Sequence, residues 1–294
     1  MLLNNLFMRF LVTGGVGFIG TNLIKRLLKD GHDIVSLDNY STGLKKNEQD
    51  GALYHNLDIS DYKNFDQFIE GIDLVFHLAA LPRIQPSFKN PKTTFKANVQ
   101  GTINMLDCCK EKKIPLVYAG SSSTHGGVYK NPYTFTKWQG EELCKLYSKL
   151  FYVKFSVCRF YNVYGPYQLT EGEYCTVIGI FEKQKNNGEV LTITGDGQQR
   201  RDFTHVDDIV DGLIKCGIEL KTNDNSKANG ETFELGRGIN YSINEVANMF
   251  GGEKKYIDQK PGEVRDTLCV DLKAKEILKW NPKENLEDYI KKLL

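Results

Sequence analysis

The sequence predicts an α/β protein: a doubly wound parallel sheet, with a smaller mixed lobe over the C-terminal ends of its strands. Two observations carry this expectation. Through the first half of the chain, short apolar runs rich in β-branched residues alternate with segments of helical period. Such alternation builds βαβ units and a parallel sheet covered on both faces. From about residue 166 the pattern changes to turns such as Gly195-Asp196-Gly197 and separate helical segments. The expected division is therefore 1–165 for the sheet domain and 166–294 for the lobe, with segments near 203–236 packing back onto the sheet.

Strands are expected at 10–12, 33–37, 74–77, 116–119 and 154–159, each a mainly apolar run. Continuous apolar character is what a strand buried on both faces requires. Helical periodicity places helices near 18–30, 61–70, 94–112 and 133–150, then near 205–218, 242–250, 271–279 and 285–294. The polar stretch 222–230 reads as a surface loop.

The 294 residues suffice for one large or two modest domains. Lysine plus arginine (38) nearly balances aspartate plus glutamate (37), so no basic stripe points to nucleic acid. No apolar run approaches the ~20 residues that would span a membrane. Residues 1–7 lack the basic start of a signal peptide, and the core is expected to begin near Met8. Seven scattered cysteines lack metal-like spacing. They are expected as small apolar packers in a reducing cytoplasm, and no metal site is expected.

The most informative run is Thr13-Gly14-Gly15-Val16-Gly17-Phe18-Ile19-Gly20, lying between the first strand and the first helix. A helix N-terminus offers unpaired N–H groups and a partial positive charge. Glycines there let a pyrophosphate approach the backbone and let the helix pack on the strand. The second strand ends in Asp38, eighteen residues after Gly20. An acidic residue there binds the ribose hydroxyls of an adenosine and repels a 2′-phosphate. NAD is therefore expected rather than NADP, the more so because 39–43 contains no arginine.

Tyr133 and Lys137 stand four apart in Pro132-Tyr133-Thr134-Phe135-Thr136-Lys137. On a helix they share a face. A lysine beside a tyrosine favours the phenolate, and a tyrosine of lowered pKa can act as general base toward an alcohol. The run 114–120 reads as a strand ending in Ser121-Ser122-Ser123-Thr124. A serine there can hydrogen-bond the same substrate oxygen.

Taken together, these residues resemble the extended short-chain dehydrogenase/reductases, specifically the nucleotide-sugar epimerases and dehydratases. The resemblance runs through Thr13–Gly20, Asp38–Gly43, Asp58-Ile59, His77–Ala80, Asn98, Tyr133…Lys137, Arg159–Pro166, Gly195–Asp208 and Pro261–Arg265. It implies a Rossmann-type NAD-binding domain and a sugar-nucleotide lobe. Gly14, Gly17, Phe18, Ile19 and Gly20 would cradle the pyrophosphate, and Asp38 the adenosine ribose. Asn39, Ser41, Thr42 and Gly43 would continue the cofactor site, Asp58 and Ile59 would flank adenine, and Leu78, Ala79, Ala80, Asn98 and Tyr161 would line the channel. Ser121, Tyr133 and Lys137 would form the catalytic set. Ser123, Asn162, Arg201, Lys260 and Thr267 would bind the substrate, with Asn162 and Arg201 at its diphosphate.

Three features depart from the pattern that the resemblance supplies. Eleven residues separate Ser121 from Tyr133, a short loop; His125 stands where tyrosine is usual; Lys260 stands where arginine is usual. An alternative alignment through Val128-Tyr129 would move the catalytic hydroxyl to Ser123 or Thr124. Dehydratases of this kind carry an Asp-Glu acid pair where this chain has Ser122 and Ser123, so dehydration is disfavoured. The resemblance then implies reversible oxidation at sugar C4, with NAD held tightly and used catalytically. It further implies a homodimer paired through the helices near 94–112 and 133–150. The small Thr267, where a bulky tyrosine would restrict C2, points to UDP-N-acetylhexosamines alongside plain UDP-hexoses.

Overall fold

A computed structural model describes residues 7–61, 66–259, 261–262 and 264–294. The chain opens with β1 (Arg9–Thr13), α1 (Phe18–Lys29), β2 (Asp33–Asp38), β3 (Ala52–Asn56) and β4 (Leu74–His77). Next come the short α2 (Ile84–Lys89) and α3 (Pro91–Phe95), a π-helical turn at Lys96–Gln100, and α4 (Gly101–Lys112). Then follow β5 (Leu116–Ser121), α5 (Pro132–Phe151), β6 (Phe155–Phe160) and β7 (Val163–Tyr164). The remainder runs α6 (Val177–Asn186), β8 (Leu191–Thr194), β9 (Arg200–Asp202), β10 (Thr204–His205), α7 (Val206–Thr222), β11 (Thr232–Leu235), β12 (Asn240–Ser242), α8 (Ile243–Phe250), β13 (Lys254–Ile257), α9 (Lys273–Ile277) and α10 (Leu286–Leu293).

Seven strands make one parallel sheet in the order β3-β2-β1-β4-β5-β6-β11. The order reverses between β1 and β4, and a crevice at the C-terminal strand ends is where such sheets bind ligands. Both faces are covered. One carries Phe10, Val12, Leu23, Leu27, Phe76, Val210 and Leu213; the other carries Leu11, Val35, Val75, Met105, Leu106, Tyr118 and Cys144. This two-sided burial explains why β1, β2, β4 and β5 are legible as unbroken apolar runs. A third cluster, Tyr164, Phe181, Leu191, Ile193, Phe203, Val246, Phe250 and Leu286, forms the core of the smaller lobe.

Three expectations need correction. β3 was not anticipated; it is an edge strand of alternating half-exposed residues, so it carries no apolar run. The helix expected near 61–70 is described only as a 3₁₀ turn at Asp66–Ile69, and residues 62–65 lie outside the described part. The helix expected from 94 begins at Pro91, whose fixed φ suits a first turn. The polar stretch 222–230 is a surface loop as expected, exposed apart from half-buried Ser226 and one anchor. Ala228 is fully buried, its carbonyl accepts from the Ser156 hydroxyl at 2.6 Å, and Asn229 accepts from the Phe155 N–H at 3.1 Å. The reading of the N-terminus as lacking a signal sequence rests on residues of which 1–6 are outside the described part.

Candidate active site

A cavity of about 820 Å³ opens along the C-terminal ends of β1, β4 and β5 and continues to the lobe at Thr192, Phe203 and Ile243. Its cofactor-side wall is the glycine turn. Gly14 has φ +75°, and a Cβ there would lie 2.9 Å from the Ala79 backbone. A Cβ on Gly20 would lie 2.1 Å from the Gly14 carbonyl oxygen. Both positions therefore require the absence of a side chain, one so that the turn can meet the loop after β4, the other so that α1 can sit on the turn. No side chain caps α1 and its first turn holds no acidic residue, which leaves that end open to an anion. Asp38 closes this wall. Its carboxylate accepts from Val16 N–H at 3.1 Å and Tyr40 N–H at 2.8 Å, tying the glycine turn to the end of β2, and burial raises its pKa. A cradle of glycine backbone ending at a carboxylate with spare lone pairs fits a dinucleotide.

Behind this wall the Thr13 hydroxyl takes the Ala79 N–H at 3.1 Å and meets His77 Nδ1 at 2.8 Å. His77 is buried, which pulls its pKa down to about 3 with Lys137 adding to the effect, so it stays neutral. These bonds hold the Leu78–Ala80 loop against the turn.

The reactive end is built by β5 and α5. Asn131 accepts from the Thr134 N–H at 2.8 Å and Pro132 occupies the first turn, which fixes where α5 begins and hence where Tyr133 points. The Tyr133 hydroxyl donates to Ser121 Oγ at 3.4 Å, and Ser121 Oγ lies 2.9 Å from Ser123 Oγ. The Thr124 hydroxyl donates instead to the Ser121 carbonyl. Of the three candidate hydroxyls, Ser121 is the one beside Tyr133. Lys137 donates from Nζ to the Ala119 carbonyl at 2.9 Å, and burial pulls its pKa down to about 8. Burial also pushes the Tyr133 phenol up, opposed by the Ser121 hydrogen bond and the Arg83 guanidinium. The expected lowering by Lys137 is thus not what this structure shows: its ammonium is engaged by a carbonyl, and loss of hydration outweighs the neighbouring charges.

A buried ionic group supports this end from below. Arg159 on β6 pairs with Glu141 on α5 at 2.6 Å and with Glu234 on β11 at 2.9 Å. His125 meets Glu234 at 3.0 Å, and that contact raises the His125 pKa. The contact anchors the short loop after β5.

On the lobe side, Asn162 donates to the Asp202 carbonyl at 3.1 Å and to the Thr267 hydroxyl at 3.2 Å. Arg201 Nη1 donates to the Arg200 and Arg265 carbonyls. Asn162, Arg201 and Thr267 all border the cavity, as do Gly14, Gly17, Phe18, Ile19, Gly20, Asp38, Thr42, Leu78, Ala79, Ala80, Ser121, Ser123, Tyr133 and Lys137. Lys260 lies outside the described residues.

Seven expected cofactor residues do not border it. Asn98 is buried, with its amide spent on Leu81 and Thr136, so it holds the wall rather than forming it. Ile59 packs under α4 against Gly101. Gly43 packs on Val16, and Asn39, Ser41 and Asp58 bond among themselves and to Ser60 beyond Asp38. Tyr161 is buried near His125. Sequence reasoning missed Arg83, Tyr174 and Cys175, which border the cavity. The available signal was a charged residue in the otherwise apolar loop after β4.

Residues 10–236 match the family model for the NAD-dependent epimerase/dehydratase family. A protein of Methanocaldococcus jannaschii, provisionally named a UDP-glucose 4-epimerase, is 33% identical over 97% of this chain and 96% of its own length. The structure of the Thermotoga maritima UDP-glucose 4-epimerase with UDP-glucose superposes with a TM-score of 0.89 at 28% identity, covering 97% of this chain and 96% of that one. UDP-glucuronic acid 4-epimerase from Bacillus cereus, in complex with UDP-glucuronic acid and NAD, superposes with a TM-score of 0.88 at 28% identity, covering 97% of each. With the fold, the glycine cradle and the match over most of its length agreeing, this chain belongs to the NAD-dependent epimerase/dehydratase family, and NAD is its cofactor.

Proposed function

We propose that this protein interconverts the C4 epimers of a nucleotide-linked hexose, a UDP-hexose or UDP-N-acetylhexosamine, through a transient 4-ketone. The observation that carries the reading is the Tyr133 hydroxyl on Ser121 at 3.4 Å, in the same cavity as the glycine turn. Gly14, Gly17 and Gly20, with Asp38, would hold NAD, which supplies a hydride acceptor and donor at C4 when bound. Tyr133 takes the proton of the 4-hydroxyl at its phenolic oxygen and later returns it to the ketone oxygen. Ser121 hydrogen-bonds that same sugar oxygen and orients it. Lys137, fixed on the Ala119 carbonyl, keeps positive charge beneath the site. Ser122 and Ser123 offer no carboxylic acid to expel water from the sugar, which supports epimerisation over dehydration.

Arg201 supplies donors for the substrate diphosphate through a planar fork suited to phosphate, while the Asn162 amide, given to Asp202 and Thr267, fixes the wall beside it. Thr267 leaves room beside C2, in keeping with an N-acetyl group there. The test is a panel of UDP-sugars incubated with the purified protein and no added cofactor, the products identified by NMR. Equilibrium between two C4 epimers is the expected result. Accumulation of a ketone, or a requirement for stoichiometric NADH, would replace epimerisation with net oxidation or reduction.

A further inference from the structure

The turn after β5 carries a charged contact that stands apart from the catalytic set. His125 Nε2 lies 3.0 Å from Glu234 Oε1, and Arg159 Nη1 reaches the same oxygen at 2.9 Å. Glu234 is buried, and its other oxygen, Oε2, has no hydrogen-bond partner among the described residues. Arg159 also serves Glu141, through two hydrogen bonds at 3.0 and 2.6 Å. The guanidinium is thus shared between two carboxylates, and Glu234 has no counter-charge of its own until His125 is protonated. Lys137 acts on Glu141 from the same helix, but its ammonium is bonded to the Ala119 carbonyl. A buried carboxylate without a full counter-charge is costly, so the fold favours the imidazolium. The Glu234 hydrogen bond accordingly raises the His125 pKa above its ordinary 6.5, against burial and the Arg159 charge. Half of the imidazole faces solvent, so protons reach it. Two further groups close by stay neutral. Burial pushes up the Tyr161 phenol, whose ring centroid lies 6.4 Å from that of His125, and it pushes the Cys269 thiol, on the Glu234 carbonyl, up to about 11.

We infer that protonated His125 is a positioning residue: its ion pair with Glu234 holds the turn 122–126, and through Ser123 the Ser121 hydroxyl, in place beside Tyr133. This rests on the epimerase reading, in which Ser121 orients the sugar oxygen. β5 fixes the Ser121 backbone, but the turn sets its hydroxyl. The Ser123 N–H donates to Ser121 Oγ at 3.3 Å, and Ser123 Oγ lies 2.9 Å from it. Among the described residues, two side-chain hydrogen bonds tie this stretch to the rest of the molecule, Tyr133 on Ser121 and His125 on Glu234. Tyr133 gives up the first when it turns to the 4-hydroxyl of the sugar. The second then remains. Glu234 is a firm partner because Arg159 locks it to Glu141 on α5, the helix that carries Tyr133 and Lys137. One chain of charges thereby joins the serine turn to the tyrosine helix.

The test measures kcat of the wild-type holoenzyme and of His125→Gln from about pH 5.5 to 9.5, with the UDP-sugar that turns over. Glutamine can still hydrogen-bond Glu234 but carries no charge, so a merely structural anchor survives the change. A pKa raised on folding means that the stabilising charge is fully present below 6.5 and is lost as pH rises through the folded value. The ratio of wild type to His125→Gln is therefore expected to be about 3- to 10-fold near pH 6, the worth of a half-exposed charge on a buried carboxylate. It should decline toward one with a midpoint above 6.5. Taking the ratio cancels titrations that the two proteins share, those of Tyr133 and Lys137 among them. A ratio near one at every pH, or a larger one that does not change with pH, overturns the assignment. Should no UDP-sugar turn over, the epimerase reading falls, and hydrogen exchange of the peptide spanning 122–127 decides the positioning alone. Wild type should then protect that peptide more than His125→Gln near pH 6 and equally near pH 9; equal protection at both overturns it. Should His125→Gln fail to fold, exchange in the wild type decides, corrected for the intrinsic pH dependence. Protection is expected to fall above pH 6.5, and constant protection overturns the inference.

Discussion

At Tyr133 one oxygen separates the native side chain from phenylalanine. Tyr133→Phe is expected to leave fold and bound NAD unchanged while cutting turnover by about 10²–10⁴-fold, the usual cost of losing a general base. Near-native activity would show that the Tyr133–Ser121 contact is structural. Lys137 lends itself to a thermodynamic measurement. Its folded pKa, about 8, lies below the free value of 10.5, so the unfolded chain binds more protons between those two values. Stability then rises with pH across that window, on the order of 3 kcal/mol at about 1.4 kcal/mol per pKa unit. Lys137→Met lacks the titrating group. The difference in unfolding free energy between wild type and Lys137→Met should therefore grow in favour of the wild type from pH 8 to 10.5. A flat difference would mean that the ammonium is not dehydrated in the folded protein.

Among the elements, the junction of β1 and α1 tolerates least. A methyl group at Gly20 would meet the Gly14 carbonyl oxygen at 2.1 Å and the Gly15 Cα at 2.8 Å, both backbone atoms. α1 cannot relieve this by a rotamer change; it has to move off the turn. Gly20→Ala is expected to lower stability by about 1–3 kcal/mol, as overpacking does, and to reduce NAD retained through purification. Wild-type NAD content and an unchanged melting temperature would overturn the account of the cradle. α5 is fixed differently, by Asn131 and Pro132 at one end and by the Arg159–Glu141 pair in its middle.

For the molecule as a whole, the outer surface of α5 stands out. Tyr129, Phe135 and Trp138 make an aromatic group with Phe95, with ring centroids 5.5–6.5 Å apart. Tyr129 is 84% exposed, and Leu146 and Leu150, on the same face of α5 as Phe135, are exposed as well. A self-complementary strip on a long helix suits an isologous dimer. Sedimentation at micromolar concentration should show a dimer, and Leu146→Glu with Leu150→Glu should convert it to monomer. A monomeric wild type would dismiss the pairing.

What the sequence determined by itself follows from local rules. The sheet strands announce themselves because burial on both faces demands unbroken apolar runs, and the glycine turn because backbone approach demands missing side chains. Tyr133 and Lys137 could be paired because a helix sets i and i+4 on one face. The edge strand β3 stayed hidden because half-exposed residues carry no such run, and Ala228 because its burial depends on β6 beside it. Tertiary structure put the expected Ser121 hydroxyl beside Tyr133 and turned that of Thr124 to the Ser121 carbonyl, since a hydroxyl's partner depends on how the turn after β5 folds. It alone turned Lys137 toward the Ala119 carbonyl and gathered Arg159, Glu141, Glu234 and His125 into one ionic group. And it alone set Arg83 where its charge acts on Tyr133, with no carboxylate among the described residues paired to it, because charge pairing is decided by distances in space that sequence separation does not encode.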